Sequence, residues 1–471
     1  MRADPKIVVI GAGSFFFGRK AIWHMVMSEV LRGGTLALVD TDPAVLANMM
    51  ELARRAIDES RAPTTLIGST NRQEVLADAD FVILTFSEKN THYRGVDCEV
   101  ARKYGIRMCS GDTIGPGGIF RSLREVPRAL EMVRDVEKLA PEAWLINLVN
   151  PTAVLGIALM RYAPRVRSFA LCDGLHEPRY RLSYLKALGI VDETCSRIPP
   201  AVERRLVFHT MGVNHFTWVT QFAYQGQNML PRWRRLLDEQ ITNDATRNDN
   251  NAKSKHRNNP AYAAKLMDLF GTYPDRIAHA KEYVTFFQGT GVLPVAPEPI
   301  MVFDAPDRQV MMEDRYRETV RYATGEKPMA EFFQQEYADH ATDIIESMWG
   351  GLGKYFYINC PNRGAVTNMA DDAFLEARCA LDMNGPTPVR MGPMPRGLLA
   401  LQQQILDTHE LTAEAAVACD RDMLLRALCT DPLVNNIEDA QSLMADLLAA
   451  QAAHLPPQWG AKGAGRRHPE N

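Results

Sequence analysis

The tightest constraint on this chain is its opening. Residues 6–18 read KIVVIGAGSFFFG, an apolar run that ends at Gly11 and Gly13. Such a run bounded by glycine is a strand buried on both faces, and glycine there lets the backbone turn sharply and approach a ligand's phosphates. A helix is expected to begin near Phe15, with its N-terminus facing the same anion. A second apolar run, TLALVD, ends in Asp40, with Thr41 and Asp42 next and no arginine beside them. An acid at that strand tip suits ribose hydroxyls and repels a ribose phosphate. The spacing departs from G-x-G-x-x-G, because position 16 is Phe and the next glycine is Gly18. A glycine pair alone would allow another doubly wound fold. Together with Asp40 it favours NAD, and NAD over NADP.

The rest of the first part repeats the alternation. Strands are expected at Lys6–Ile10, Thr35–Val39, 81–86, 144–149 and 168–171, with helical spacing over 44–59 and 122–139. This predicts a Rossmann-type doubly wound parallel sheet over residues 1–178. After Arg179 long helices and scattered strands predict an α+β lobe over 179–454, the arrangement of lactate and malate dehydrogenases. Residues 243–260 are polar and read as a lid or a solvated loop, 402–452 as helical, and 455–471 as a disordered tail.

Composition narrows the function. Lys plus Arg is 53 against 57 acids, a net charge of −4, so no basic field exists to hold nucleic acid. No apolar leader or membrane-length run is read, which makes the chain a cytoplasmic protein without a membrane partner. Its eight cysteines are scattered without a C-x-x-C pair, as expected of free thiols.

In open α/β sheets, ligands bind beyond the carboxyl ends of the strands. Those ends supply the cofactor-binding candidates Gly11, Gly13, Ser14, Phe15, Asp40, Ser87, Asn90 and Asn147. They also bring Asn150 and the run Cys172-Asp173-Gly174-Leu175-His176 to the same edge. A lone cysteine is usually inert; one that ends a strand beside a redox cofactor and precedes an acid is a candidate ligand. Residues 110–121, SGDTIGPGGIFR, form a glycine-rich segment around Asp112 that ends in Arg121 and can wrap a polar ligand. Residues 212–218, GVNHFTW, set Asn214 and His215 in an apolar, strand-like run, where a lone histidine is more often a core residue than a ligand.

With these segments in view, the chain resembles glycoside hydrolase family 4, the NAD- and manganese-dependent glycosidases. The likeness rests on the Gly11/Gly13 start, GDTIGPGGIFRSLREVP, the Asn150-Pro151 strand end, Cys172 and GVNHFTW. Near the C-terminus it includes NCPNRGAVTNMADDA and VRMGPMPRGL. The segment CDGLHEP differs from the signatures usual after the family's cysteine, and so points to a divergent branch or a sister family such as the NAD-dependent sulfoquinovosidases. The resemblance implies a redox elimination, which the usual two-carboxylate scheme does not describe. Sugar C3 is oxidised, C2 is deprotonated, the C1 substituent is eliminated, water adds and C3 is re-reduced.

By the same resemblance Cys172 and His215 are metal ligands, manganese first, and Asn150 binds substrate beside the nicotinamide. Asp112, Arg121, His176 and Asn214 are further substrate-binding candidates. Asp173 is the candidate proton donor, with a supporting role as its alternative. Asp275 is the candidate base, because YPD resembles the base region of α-glucosidase relatives, and Tyr273 is its rival. CDGLHEP and the basic run Lys253, Lys255, His256 and Arg257 favour an anionic hexoside, a sulfoquinovoside first. An α-glucosidase or α-galacturonidase type of the same mechanism is the alternative. Homodimers or homotetramers are expected from the family. Two rivals lie outside it: a 2-hydroxyacid dehydrogenase, needing no metal, and a non-catalytic NAD sensor.

Overall fold

The computed structural model describes residues 4–14, 16–246, 259–289 and 300–460. Six strands, β1 (Lys6–Ile10), β2 (Thr35–Val39), β3 (Thr65–Ser69), β4 (Phe81–Leu84), β5 (Trp144–Asn147) and β6 (Arg167–Ala170), pair in parallel in the order β3-β2-β1-β4-β5-β6. This is the doubly wound nucleotide-binding order, and its switch point opens a crevice between the ends of β1 and β4. β1, β2, β4 and β5 are buried along nearly their whole length, as their unbroken apolar runs require. β3 was not anticipated: its sequence TLIGS is half polar, and it is the half-exposed edge strand.

The second part of the chain extends the same sheet. The strands β7 (Leu206–Gly212), β8 (Trp218–Tyr224), β9 (Gln227–Asn228), β10 (Tyr273–Pro274), β11 (Tyr355–Pro361), β12 (Phe374–Asp382) and β13 (Gly385–Pro388) are antiparallel. β11 joins β6 at Asn359 opposite Ala170, so thirteen described strands form one sheet.

Several local expectations need correction. The first helix begins at Gly18, not near Phe15, and Phe15 itself lies outside the described residues. The glycine-rich segment is a loop only to Ile114; Gly115–Leu139 is one helix with Pro116 in its first turn, where a missing N–H has no cost. His215 is not in a strand. It sits in the turn from β7 to β8 at φ 66°, a left-handed conformation rare for a residue with a Cβ. The C-terminal helical region is three helices, Arg396–Ala418, Arg421–Thr430 and Ile437–Ala450. The expected loose tail starts too early: Leu455 and Trp459 are buried in the core, while 461–471 lie outside the described residues. So does most of the polar segment 243–260, including the basic run at 253–257. Among the described residues no helix is long and apolar enough to cross a membrane. All eight cysteines are free thiols.

Candidate active site

A cavity of about 580 Å³ lies at the switch point, lined by Gly11, Gly13, Ser14, Asp40, Ser87 and Asn90 among others. Gly11 turns at φ 89°, and its N–H bonds the Val39 carbonyl at 2.9 Å. Gly13 donates its N–H to Asp40 at 2.8 Å, so the acid braces the glycine turn as well as facing the cavity. The third glycine of the usual motif is replaced in function by Gly18. A Cβ there would overlap the Ala12 carbonyl oxygen, so the first helix packs against the turn only because residue 18 has no side chain.

Two cofactor candidates are engaged elsewhere. Ser87 donates to Glu125 at 2.6 Å while still lining the cavity. Asn147 does not line it: its amide bonds both N–H and C=O of Val149 and braces the end of β5. The local sequence around Asp40 also understates the arginines nearby. Arg72 and Arg128 line the cavity, each tied to acids: Arg72 to Glu131 and Asp135, Arg128 to Glu88. Arg308 lines it too, its guanidinium 5.3 Å from the Phe16 ring centroid.

Beyond β6 the chain gathers soft and hard donors. Cys172 Sγ is 3.2 Å from His215 Nε2, and Thr113 Oγ1 is 2.9 Å from His215 Nδ1. Asp112, His215 and His279 bring one donor atom each within 4.8 Å of one another. The His215 and His279 rings stack at 4.0 Å, with 5° between their planes. Burial, opposed by Asp112, pushes the His215 imidazole down and keeps it neutral, the form that ligates a metal. Burial also opposes ionisation of Asp112, but nearby positive charge, that of Arg94 first, outweighs it and holds its carboxyl well below the usual range. Asn150 donates to Asp112 at 3.4 Å, and Arg121 lies 3.7 Å from the same carboxylate; all three line the nucleotide cavity.

A second cavity, about 470 Å³, holds Asp173, His176, Tyr273 and Asp275, with Arg276 and Trp233 on its wall. Asp173 pairs with Lys20 at 3.0 Å, and His176 with Asp343 at 2.8 Å. Asp275 accepts from Tyr184 at 2.5 Å and faces Arg276 Nε at 3.2 Å. Burial pushes the Asp275 carboxyl up against the pull of Arg276 and Tyr184. Burial pushes the Tyr273 phenol up as well, which makes it harder to ionise. Asn214 reaches neither cavity; it donates to the buried Glu376 at 3.3 Å.

Four participants escaped the sequence reading. His279 was inside the segment read for its base; its spacing of four from Asp275 was the available signal. Glu376 sits mid-strand in β12 among apolar residues, and burial and the nearby Cys172 push its carboxyl up to about 8. Glu282 accepts from the N–H groups of Ser110 and Gly111 at 3.1 and 2.8 Å, and so holds the loop that carries Asp112. Arg276 lies over Gly174, where any Cβ would overlap its guanidinium.

The fold and site together define a doubly wound α/β protein with a nucleotide-type cavity that shares Asp112 with a metal-competent cluster, and a second, polar and aromatic cavity that starts at Asp173, next to Cys172. The chain belongs to family 4 of the glycosyl hydrolases. The family model described as Family 4 glycosyl hydrolase matches residues 6–182, and that for the family's C-terminal domain matches 210–434. The chain is therefore a glycosidase, and both rival readings outside the family fall away. An α-galactosidase of Bacillus subtilis (strain 168) is 28% identical over 96% of this chain and 99% of its own length. An α-galacturonidase of Lachnoclostridium phytofermentans is 25% identical over 97% and 98%. Among solved structures, a 6-phospho-α-glucosidase from gut microorganisms, in complex with NAD and Mn²⁺, superposes with a TM-score of 0.77 at 20% identity, covering 97% of this chain and 99% of that one. These likenesses in three dimensions speak to the fold.

Proposed function

We propose that this chain hydrolyses an anionic hexoside by redox elimination with NAD and a divalent metal, manganese first. The observation that carries the reading is the Cys172–His215 pair, with Asp112 shared between that cluster and the nucleotide cavity. The residues fit both groups. The glycine turn leaves a cradle that side chains would fill, and the cavity beside it has the polar lining a dinucleotide needs. For the metal, the Cys172 thiol beside the His215 imidazole, with the Asp112 carboxylate and His279 imidazole clustered on that same His215, offers donor types that suit manganese, iron or cobalt. When bound, NAD supplies reversible hydride acceptance at sugar C3, and the metal supplies the Lewis acidity that stabilises charge on the neighbouring oxygens.

The chain's own residues do the rest. Asp112 and Asn150 orient sugar hydroxyls at the edge of the nucleotide cavity, with Arg121 behind Asp112. Asp275 takes the C2 proton. Burial raises its carboxyl, so its ionised form is a stronger base than that of an exposed aspartate at neutral pH. Tyr273, whose phenol burial pushes upward, is the weaker choice at that pH. Asp173 gives the leaving oxygen its proton and is held in place by Lys20. Trp233 and Tyr273 offer flat apolar faces for a pyranose ring.

The substrate part of the proposal is an anionic hexoside, a sulfoquinovoside first and a galacturonide second. The α-galacturonidase relative supports the class; the α-galactosidase relative favours a neutral hexoside as the second reading. Hydrolysis in deuterated water tests the mechanism. Redox elimination breaks the C2–H bond, so the released sugar should carry deuterium at C2. A fully unlabelled C2 after complete hydrolysis would exclude it.

A further inference from the structure

We infer that Arg179 is the residue that reads the negative charge of the hexose, a specificity determinant at the mouth of the second cavity; this rests on the anionic-substrate reading above. The inference comes from matching charges around that cavity. Arg276 is matched by Asp275 at 3.2 Å, and His176 by Asp343 at 2.8 Å. Lys20, just behind the wall, is matched by Asp173 at 3.0 Å. Arg179 alone among the described basic residues of this wall has no carboxylate within ion-pair distance and no hydrogen bond. It is exposed, yet it is not loose: its guanidinium lies 3.9 Å from the centroid of the Tyr337 ring. Tyr337 also lines the cavity, and the same ring carries Lys20 Nζ at 4.4 Å from its centroid.

Contact with an aromatic face uses none of the N–H donors of a guanidinium, and a planar fork of donors matches a carboxylate, sulfonate or phosphate two oxygens at a time. Two cations on one ring also repel each other unless an anion comes between or beside them. Asp173 serves Lys20, which leaves Arg179 to a charge that arrives with the ligand. The cavity it faces is the one that contains Asp173 and Asp275, so an anion held there belongs to a molecule positioned for those groups. The hexose and the aglycone are two possible carriers of such an oxyanion. We assign it to the hexose, because the base that takes the C2 proton shares the cavity wall with Arg179.

The test compares Arg179→Gln and Arg179→Lys with the unmodified enzyme, each loaded with NAD and Mn²⁺. The substrates are 4-nitrophenyl α-sulfoquinovoside, α-galacturonide and α-galactoside, plus an α-galactoside with a carboxylated aglycone. The readout is the ratio of kcat/KM on anionic to neutral hexosides. Arg179→Gln should lower that ratio about 30- to 100-fold, mostly through KM, and Arg179→Lys should recover part of it. Calorimetric binding of galacturonate against galactose should show the same loss without turnover. An unmodified enzyme that prefers anionic hexosides while Arg179→Gln keeps the ratio within threefold overturns the assignment of Arg179 alone. An unmodified enzyme that prefers the neutral galactoside overturns both the assignment and the substrate reading beneath it. A loss confined to the charged aglycone overturns the placement on the hexose.

Discussion

The two cavities are walled in different ways. The nucleotide cavity takes its defining parts from short runs: residues 10–14 with 16 and 17, 39–45 and 85–90, each at the end of a parallel strand. Its centre is a backbone turn, and Asp40, which also lines it, braces that turn. The second cavity draws on residues 173–184, on Trp233, on 273–276 and on Tyr337. Its lining side chains are held by other side chains: Tyr184 on Asp275, Lys20 on Asp173, Asp343 on His176. A backbone cradle tolerates change in sequence around it but little change in shape. A side-chain cradle keeps its shape under substitution and changes its chemistry.

The largest effect that contrast predicts lies between the cavities. Cys172→Ala should cost about 10³- to 10⁴-fold in Mn²⁺-supported turnover, several kcal/mol of lost charge stabilisation, while NAD binding persists. Chelation of the unmodified enzyme should match it, and added Mn²⁺ should restore only the unmodified enzyme. Steady-state rates with and without metal, beside NAD titration by fluorescence, decide this. Full activity in metal-free buffer would make the thiol a structural group and dissolve the boundary between the cavities.

Next comes the side-chain cavity itself. Asp275→Asn keeps the shape of the side chain and removes the proposed base, so kcat should fall about 10²- to 10³-fold, and deuterium entry at C2 should slow with it. Tyr273→Phe should cost far less. The reverse order of the two variants would move the base to Tyr273.

The backbone cavity should fail differently. Gly18→Ala pushes a methyl into the Ala12 carbonyl and should displace the glycine turn, weakening NAD about tenfold and lowering stability by about 1–3 kcal/mol. Activity at saturating NAD should recover most of the loss. An unaltered NAD affinity would show that the turn does not need the close approach of the first helix.

The same contrast explains what the sequence could reveal. Gly11, Gly13 and Asp40 were legible because a strand, a turn and a strand tip are local, and periodicity reports them. Gly18 was visible only as an irregularity in spacing; its use depends on how the helix meets Ala12. Cys172 and His215, 43 residues apart, were brought together by resemblance, since no local pattern links the end of β6 to a turn between β7 and β8. His279, Glu282 and Glu376 were hidden because burial and tertiary convergence give them their setting, and neither leaves a periodic trace. Asn147 and Asn214, expected at the site, line neither cavity for a related reason. Position at a strand end or beside a ligand says nothing of where an amide points, and buried backbone and carboxylate partners claimed both.

The smallest effect concerns how the side-chain cavity tunes its base. Tyr184 donates to Asp275 at 2.5 Å, and a hydrogen bond to a carboxylate favours the ionised form. Burial, the larger influence, pushes the same carboxyl upward, so the two oppose each other. The base role proposed for Asp275 requires the ionised form, so kcat/KM should rise with pH along an acid limb that lies above the usual aspartate range. Removing the phenol in Tyr184→Phe takes away a stabiliser of the charged form. The carboxyl then moves further up and the limb moves to higher pH, by about one unit if the bond is worth about 1.5 kcal/mol. Below the limb the variant should lose up to about tenfold in kcat/KM; above it, the rate should approach that of the unmodified enzyme. The pH profile of kcat/KM in the two proteins, at saturating NAD and Mn²⁺, reads this directly. A limb that stays in place while the whole profile drops would mean that Tyr184 packs the cavity and does not tune the base. A limb that moves with Tyr273→Phe instead would hand the titration, and the chemistry, to the neighbouring phenol.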